Sequence, residues 1–214
     1  MGLVPFDDRQ RAEMAANLAH FAVATDVHPD GRTAAGTLKR AAVCLIVADD
    51  GRGGASVILT KRAPKLKAHS GQWAIPGGRI EAGETPIEAA LREAHEEVNL
   101  ELSPDAILGR LDDYPTRSGY LITPVVAWAP EGSVLTANPD EVASIHYIGL
   151  GELRDGDPEF FAIPESENPV IRYPLGGKFV HAPTAAVLYQ FVEVALEGRA
   201  TRVAHLEQPV WAWR

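Results

Sequence analysis

Residues 77–100 read GGRIEAGETPIEAALREAHEEVNL. The spacing predicts a helix over 85–98 with both ends specified. Thr85 suits the N-cap, Pro86 the first turn, and Glu88 completes a T-x-x-E capping box. Asn99 tolerates the left-handed conformation that closes a helix C-terminus. At ~100° per residue, Ile87, Ala90, Leu91, Ala94 and Val98 share one apolar face. Glu93, Glu96 and Glu97 fall in a neighbouring sector about 100° wide, with Glu97 nearest the apolar edge and expected to be partly shielded from water. Glu93 and Glu97 are like charges at i, i+4, which alone destabilises a helix by ~0.2–0.5 kcal/mol. A hard divalent cation gives such a cluster a purpose, because Mg²⁺ prefers oxygen ligands and brings substrate phosphates with it. For the EAHEE segment in isolation, a solvated acidic face is the alternative.

On the N-terminal side, RAAVCLIVADD (40–50) reads as a buried strand, GRGG (51–54) as a turn, and ASVILTKR (55–62) as the hairpin partner. Residues 7–20 have helical composition, and 27–37 read as a loop or linker. Downstream, 106–113, 120–128 and 142–148 are strand candidates, and 183–197 (PTAAVLYQFVEVALE) is a second helix. Strands mixed with a few helices imply an α/β architecture, a mixed sheet with helices on its faces. The expected organisation is an N-terminal helix and linker (1–37), one main domain (38–200) and a C-terminal tail (201–214). In that tail, PVWAWR (209–214), Trp211 and Trp213 flank Ala212 as on an edge strand. The tail or the N-terminal helix would serve a homodimer, or the tail would cap the domain's own core.

The chain has 214 residues, enough for one well-packed domain with a small extension. Its net charge of −9, from 20 basic and 29 acidic residues, opposes binding of duplex DNA or long RNA. A small anionic substrate remains compatible where cations gather locally. The single cysteine, Cys44, excludes an intrachain disulfide and lies in an apolar run, as an inert buried thiol would. No apolar stretch reaches membrane-spanning length, and MGLVPFDDRQR lacks the pattern of a signal peptide, so a cytoplasmic setting is expected.

Residues 78–100 resemble the Nudix box, G-x5-E-x7-R-E-U-x-E-E-x-G-U, where U is bulky and aliphatic. Gly78, Glu84, Arg92, Glu93, Glu96, Glu97 and Leu100 stand at the required spacing, while Ala94 replaces a larger aliphatic residue and Asn99 a glycine. The resemblance implies a Nudix-type α/β/α sandwich with a mixed β-sheet and the acidic helix on one face. It implies a hydrolase using Mg²⁺ or Mn²⁺ to cleave a pyrophosphate link in a small nucleotide-derived substrate. Carried over by position, Glu93 and Glu97 would be principal metal ligands, with Glu96 completing the cluster and the Gly78 backbone close to metal and phosphate. Arg92 would orient a carboxylate, Glu93 or Glu84, by a charged hydrogen bond. Gly77 and Gly78 would let backbone approach without an intruding Cβ. The base that deprotonates the attacking water would be a glutamate of the box or one on a distant loop, for which Glu141 in NPDEV is the candidate.

Residues 58–78, ILTKRAPKLKAHSGQWAIPGG, are similar to the signature of the coenzyme A pyrophosphatase branch of that family. Leu59, Thr60, Arg62, Ala63, Gly71, Pro76, Gly77 and Gly78 match in register. Lys67 replaces an arginine and Ile75 a phenylalanine. Lys61, Arg62, Lys65, Lys67 and His69 also form a cationic patch in an acidic chain, suited to a phosphate, or simply a solvated basic loop. Ser118, Gly119, Tyr120, Thr123 and Pro124 extend the likeness, and Tyr120 would stack on adenine or pack in the core. His181 stands where that branch leads one to expect tryptophan. Coenzyme A, or an acyl derivative, is thus the leading substrate. The alternatives are ADP-ribose or another nucleoside diphosphate derivative, favoured by Pro115 fifteen residues past Leu100, and a non-catalytic ligand-binding protein, opposed by the intact Glu93, Glu96 and Glu97.

Overall fold

The strand over 39–49 alternates between two environments, and this alternation organises the molecule. Ala42, Cys44, Ile46 and Ala48 face one way and pack with Ala89, Ala90, Ala94 and Val98 of the acidic helix. Leu45 and Val47 face the other way, into a core shared with Met14, Leu18, Leu188 and Phe191. A period of two along a strand puts alternate residues on opposite faces, so helices cover both sides of the sheet. The expected α/β/α sandwich is the observed architecture. Cys44 is buried on the acidic-helix side, where burial pushes its thiol up to about 12.

The computed structural model describes residues 2–24, 38–64 and 71–212. In chain order the elements are α1 (Asp8–His20), β1 (Lys39–Asp49), β2 (Ala55–Arg62), β3 (Trp73–Ala74), β4 (Gly77–Arg79), α2 (Pro86–Val98), β5 (Ile107–Arg110), β6 (Tyr114–Pro115), β7 (Tyr120–Trp128), β8 (Val142–Gly149), α3 (Leu150–Arg154), β9 (Glu159–Ile163), β10 (Ser166–Leu175), β11 (Lys178–His181) and α4 (Thr184–Phe191). Helix α4 runs on through a π turn, Val192–Leu196. The 27–37 loop expectation lies outside the described residues.

The main sheet is mixed. β1 and β7 run parallel from Lys39↔Tyr120 to Val47↔Trp128. β1 pairs antiparallel with β2 only over Val47–Asp49, and its other half pairs with β4, Ala42 opposite Gly78 and Val43 opposite Gly77. β2 continues past that split to pair with β8 and β3. The two glycines therefore sit where β1 and β2 part company. A separate antiparallel sheet, β11-β10-β9, went unmarked in the sequence. Its outer strand, EFFAI, is almost wholly exposed and lacks the alternation that marks a half-buried strand.

Two sequence expectations are corrected. The strand expected over 106–113 covers only Ile107–Arg110, preceded by a 3-10 turn over Pro104–Ala106. Beyond it Asp112 is buried and collects side-chain and loop donors: the Ala24 N–H at 2.7 Å, Gln190 Nε2 at 2.7 Å and Arg202 Nη1 at 2.6 Å. The edge strand expected near Trp211 is instead a 3-10 turn, Val210–Ala212, in which the Ala212 N–H donates to the Pro209 carbonyl. Pro209 has no N–H to give a ladder, and the only β-bridge described there joins Glu207 to Val170. Among the described residues no helix is long and apolar enough to cross a membrane.

The Asp112 hub joins the end of α1, the β5–β6 connection and α4. Asp112→Ala is expected to lower the unfolding free energy by about 3 kcal/mol, because buried donors lose a charged acceptor. Urea denaturation measures this directly, and a loss under about 1 kcal/mol would mean that water replaces the carboxylate at little cost.

Candidate active site

Helix α2 begins as its sequence requires. The Thr85 side chain accepts from the Glu88 N–H at 3.2 Å, and the Glu88 carboxylate accepts from the Thr85 N–H at 2.7 Å. It ends at Asn99, in the left-handed region with φ 54°. The caps fix where the helix begins and ends, and packing of Ala89, Ala90, Ala94 and Val98 against β1 fixes which way its glutamates point.

Arg92 organises the acidic face. Its Nε and Nη2 donate to Glu84 at 2.9 and 3.1 Å, its Nη1 to Glu93 at 2.8 Å and Glu96 at 2.9 Å, and Nη2 also reaches the Arg79 carbonyl at 3.0 Å. The sequence left Glu93 and Glu84 open as partners; the guanidinium takes both and adds Glu96. Its hydrogen bonds hold the Glu84 carboxyl below the usual range.

Glu93 and Glu97 are buried, Glu97 to 3% exposure, whereas Glu96 is exposed. Burial holds the Glu93 carboxyl above the usual range, with Arg92 opposing. Burial pushes Glu97 up to about 8; the Gly77 N–H, 3.5 Å away, opposes this, and the charge of Glu93 adds to it. Arg62 favours the charged form of Glu97, and Glu141 disfavours it.

The Glu141 loop is stitched to the end of α2. The Thr136 N–H donates to the Val98 carbonyl and the Asn138 N–H to the Glu97 carbonyl, both at 2.9 Å, while the Ala63 N–H donates to the Glu141 carbonyl. Carbonyls left open at a helix end thus fix a loop that is distant in sequence. Glu141 comes close enough to influence both Glu93 and Glu97.

The glycines leave no room for a side chain. A Cβ on Gly78 would lie 2.2 Å from Glu93 Oε1, and one on Gly77 would lie 2.4 Å from the Ala42 carbonyl. Both glycines line a cleft of about 700 Å³, together with Lys61, Arg62, Tyr120 and Trp211. Glu93 and Glu97 do not line it; they meet it at the Gly77–Gly78 backbone. The Arg62 Nε is buried there and, among the described residues, has no hydrogen-bond partner. Lys65, Lys67 and His69 lie outside the described residues.

Tyr120 is half-buried, and its hydroxyl accepts from Arg79 Nε at 3.0 Å and Nη2 at 2.7 Å. His181 also lines the cleft, with Trp211 edge-on to it at 5.2 Å. Trp73, Lys178 and Phe179 join the lining as well, and the sequence reading singled out none of the three. Trp73 follows the matched Gly71 and was within reach of that signature. Lys178 and Phe179 belong to a hairpin that no periodicity announced.

Among the described residues, no three His, Cys, Asp or Glu side chains converge tightly enough to hold a cation as they stand. Arg92 Nη1 instead engages both Glu93, at 2.8 Å, and the exposed Glu96, at 2.9 Å. The donor set nonetheless suits a hard cation. It is all oxygen, two of its carboxylates are buried side by side, and Glu97 has a long N–H contact and the charge of Arg62 to offset its burial.

A family model described as NUDIX domain matches residues 37–166. A protein of Photorhabdus laumondii subsp. laumondii named "Uncharacterized Nudix hydrolase NudL" is 43% identical over 98 residues, covering 45% of this chain and 52% of that protein. A protein of the same name from Yersinia enterocolitica is 39% identical over 98 residues, covering 45% and 50%. The chain spans about half the length of these curated relatives. Among solved structures, a Nudix hydrolase from M. Smegmatis, RenU, aligns with a TM-score of 0.49 at 24% identity, covering 76% of this chain and 88% of that one.

Proposed function

Because this chain belongs to the NUDIX family, we propose that it is a divalent-metal-dependent hydrolase of a pyrophosphate link in a nucleotide-derived metabolite. Its leading substrate is coenzyme A or an acyl derivative, split into 3′,5′-ADP and (acyl-)phosphopantetheine. The observation that carries this reading is the pair of buried carboxylates, Glu93 and Glu97, set against a glycine backbone that lines a cleft with Lys61 and Arg62.

Glu93 and Glu97, with Glu96 once it leaves Arg92, are the residues that would hold Mg²⁺ or Mn²⁺ beside the Gly78 backbone. A bound cation of this kind neutralises pyrophosphate charge and lowers the pKa of water. Arg62 and Lys61 hold phosphate oxygens; the unpartnered Arg62 Nε is a donor waiting for an acceptor. Arg92 keeps Glu93 oriented through its hydrogen bonds to Glu84 and the Arg79 carbonyl. The proton of the attacking water passes to Glu141 or to a glutamate of α2, since the charge of Glu141 acts on both Glu93 and Glu97. The acidic net charge favours a small nucleotide over long nucleic acid, and the single buried cysteine suits a reducing, cytoplasmic setting.

The choice of coenzyme A rests on the match over 58–78 and on a cleft larger than a diphosphate needs. A product assay with Mg²⁺ or Mn²⁺, coenzyme A and ADP-ribose side by side, tests it. The expected result is release of 3′,5′-ADP at a clearly higher kcat/KM than release of AMP from ADP-ribose. The reverse order would move the substrate to ADP-ribose and reduce 58–78 to a structural loop.

A further inference from the structure

We propose that Trp211, contributed by a segment beyond the family-matched residues 37–166, is the stacking platform for the flat base of the nucleotide. The inference rests on the reading that the cleft takes a nucleotide, but not on which one.

Among the described residues the cleft has four large aromatic side chains, and cations already lie against three of them. The Lys61 ammonium lies 4.8 Å from the centre of the Trp73 ring, and His146 packs edge-on against the same ring at 4.6 Å. Tyr120 has Arg79 at 5.6 Å and Lys39 at 5.8 Å. Phe179 has the Arg172 guanidinium at 3.9 Å. A cation over a ring uses the negative face that a base would otherwise cover. Trp211 differs: its ring contact is the edge-on His181, and among the described residues no cation lies over it. It remains 55% exposed.

This exposure is held in place by buried hydrogen bonds. Four residues before Trp211, the Glu207 carboxylate is fully buried and accepts two bonds from Arg117, at 3.0 Å from Nε and 3.1 Å from Nη2. The Gln208 side chain accepts from the Arg117 N–H at 3.0 Å, and Tyr114 Oη donates to the Leu206 carbonyl at 2.7 Å. Pro209 and the 3-10 turn then carry the chain to Trp211. A large apolar ring left half in water at the end of so well-anchored a segment gains by covering its face. A nucleotide base supplies a flat π-surface of the right chemistry, in a cleft that Lys61 and Arg62 also line.

The test is calorimetric titration of the Mg²⁺-loaded protein with AMP, which has no anhydride to cleave, and with ribose 5-phosphate, which has no base. In Trp211→Ala the Kd for AMP is expected to rise about tenfold or more, because base–aromatic stacking is worth ~1–3 kcal/mol. Trp211→Phe should recover most of the loss, and ribose 5-phosphate should bind all three proteins alike. Unchanged AMP affinity in Trp211→Ala would overturn the inference. So would an equal loss for ribose 5-phosphate, or failure of the native protein to bind AMP. The two proposals fail separately: coenzyme A hydrolysis with an unaltered AMP Kd refutes only the stacking role, and a raised AMP Kd without any hydrolysis refutes only the proposed reaction.

Discussion

Glu97→Gln is expected to cut turnover by about a hundredfold or more, because it removes the charge of a proposed metal ligand, and to stabilise the metal-free protein. Both effects have one cause. Glu97 is almost wholly buried beside Glu93 and near Glu141, and its recorded hydrogen bond is a 3.5 Å contact from the Gly77 N–H. Taking a carboxylate out of water costs several kcal/mol, and the nearby Arg62 offsets only part of this. Glutamine has nearly the same shape and no charge, so the melting temperature in chelator should rise, by the equivalent of about 1–2 kcal/mol. Added Mg²⁺ or Mn²⁺ should stabilise the native protein by mass action and the variant far less. Turnover assays and thermal melts with and without chelator read all of this. Normal turnover in the variant would remove Glu97 from the mechanism. A lower melting temperature in chelator would show that the carboxylate is satisfied by its protein neighbours.

The adjacent glycines should separate catalysis from folding. In Gly78→Ala the new methyl would meet the Glu93 carboxylate, at 2.2 Å from Oε1 and 2.6 Å from Cδ. A side-chain end can give way, so the fold should survive with a loss of roughly 1 kcal/mol. The carboxylate cannot stay where it is, however, and a displacement of about 1 Å in a reacting constellation costs about a hundredfold. In Gly77→Ala the methyl would meet backbone, the Ala42 carbonyl at 2.4 Å and Val43 Cα at 2.7 Å, so the β1–β4 pairing itself must open. That variant should lose stability by about 2–3 kcal/mol together with activity. Measuring kcat/KM beside denaturation midpoints distinguishes the two. Equal losses of stability in both variants would mean that Glu93 is held as firmly as the sheet.

Local signals accounted for much of the site. Thr85, Pro86, Glu88 and Asn99 specify where α2 begins and ends, and helical periodicity puts Glu97 nearest the apolar edge, where it is buried. The apolar run over 40–48 and the turn at 51–54 specify the β1–β2 hairpin in the same way. These features depend on neighbours within a few residues, so composition and spacing reveal them.

Other features arise only when distant segments meet. Glu141 reaches the acid cluster because the open carbonyls of Glu97 and Val98 tie down its loop, and no pattern near Glu141 records that. The Arg92 guanidinium reaches the Arg79 carbonyl, beyond its local carboxylate partners, because β4 has brought that backbone beside α2. The shortened strand before Asp112 and the turned tail before Trp211 also follow from long-range partners, since Gln190, Arg202 and Arg117 each lie at least 78 residues away in sequence. By itself, then, the sequence determined the helix, its carboxylates and the central strands, because capping and periodicity are short-range physics. Only the tertiary structure decided which cations, loop and tryptophan face those carboxylates and their cleft, because burial and hydrogen bonding between remote segments are properties of the packed chain.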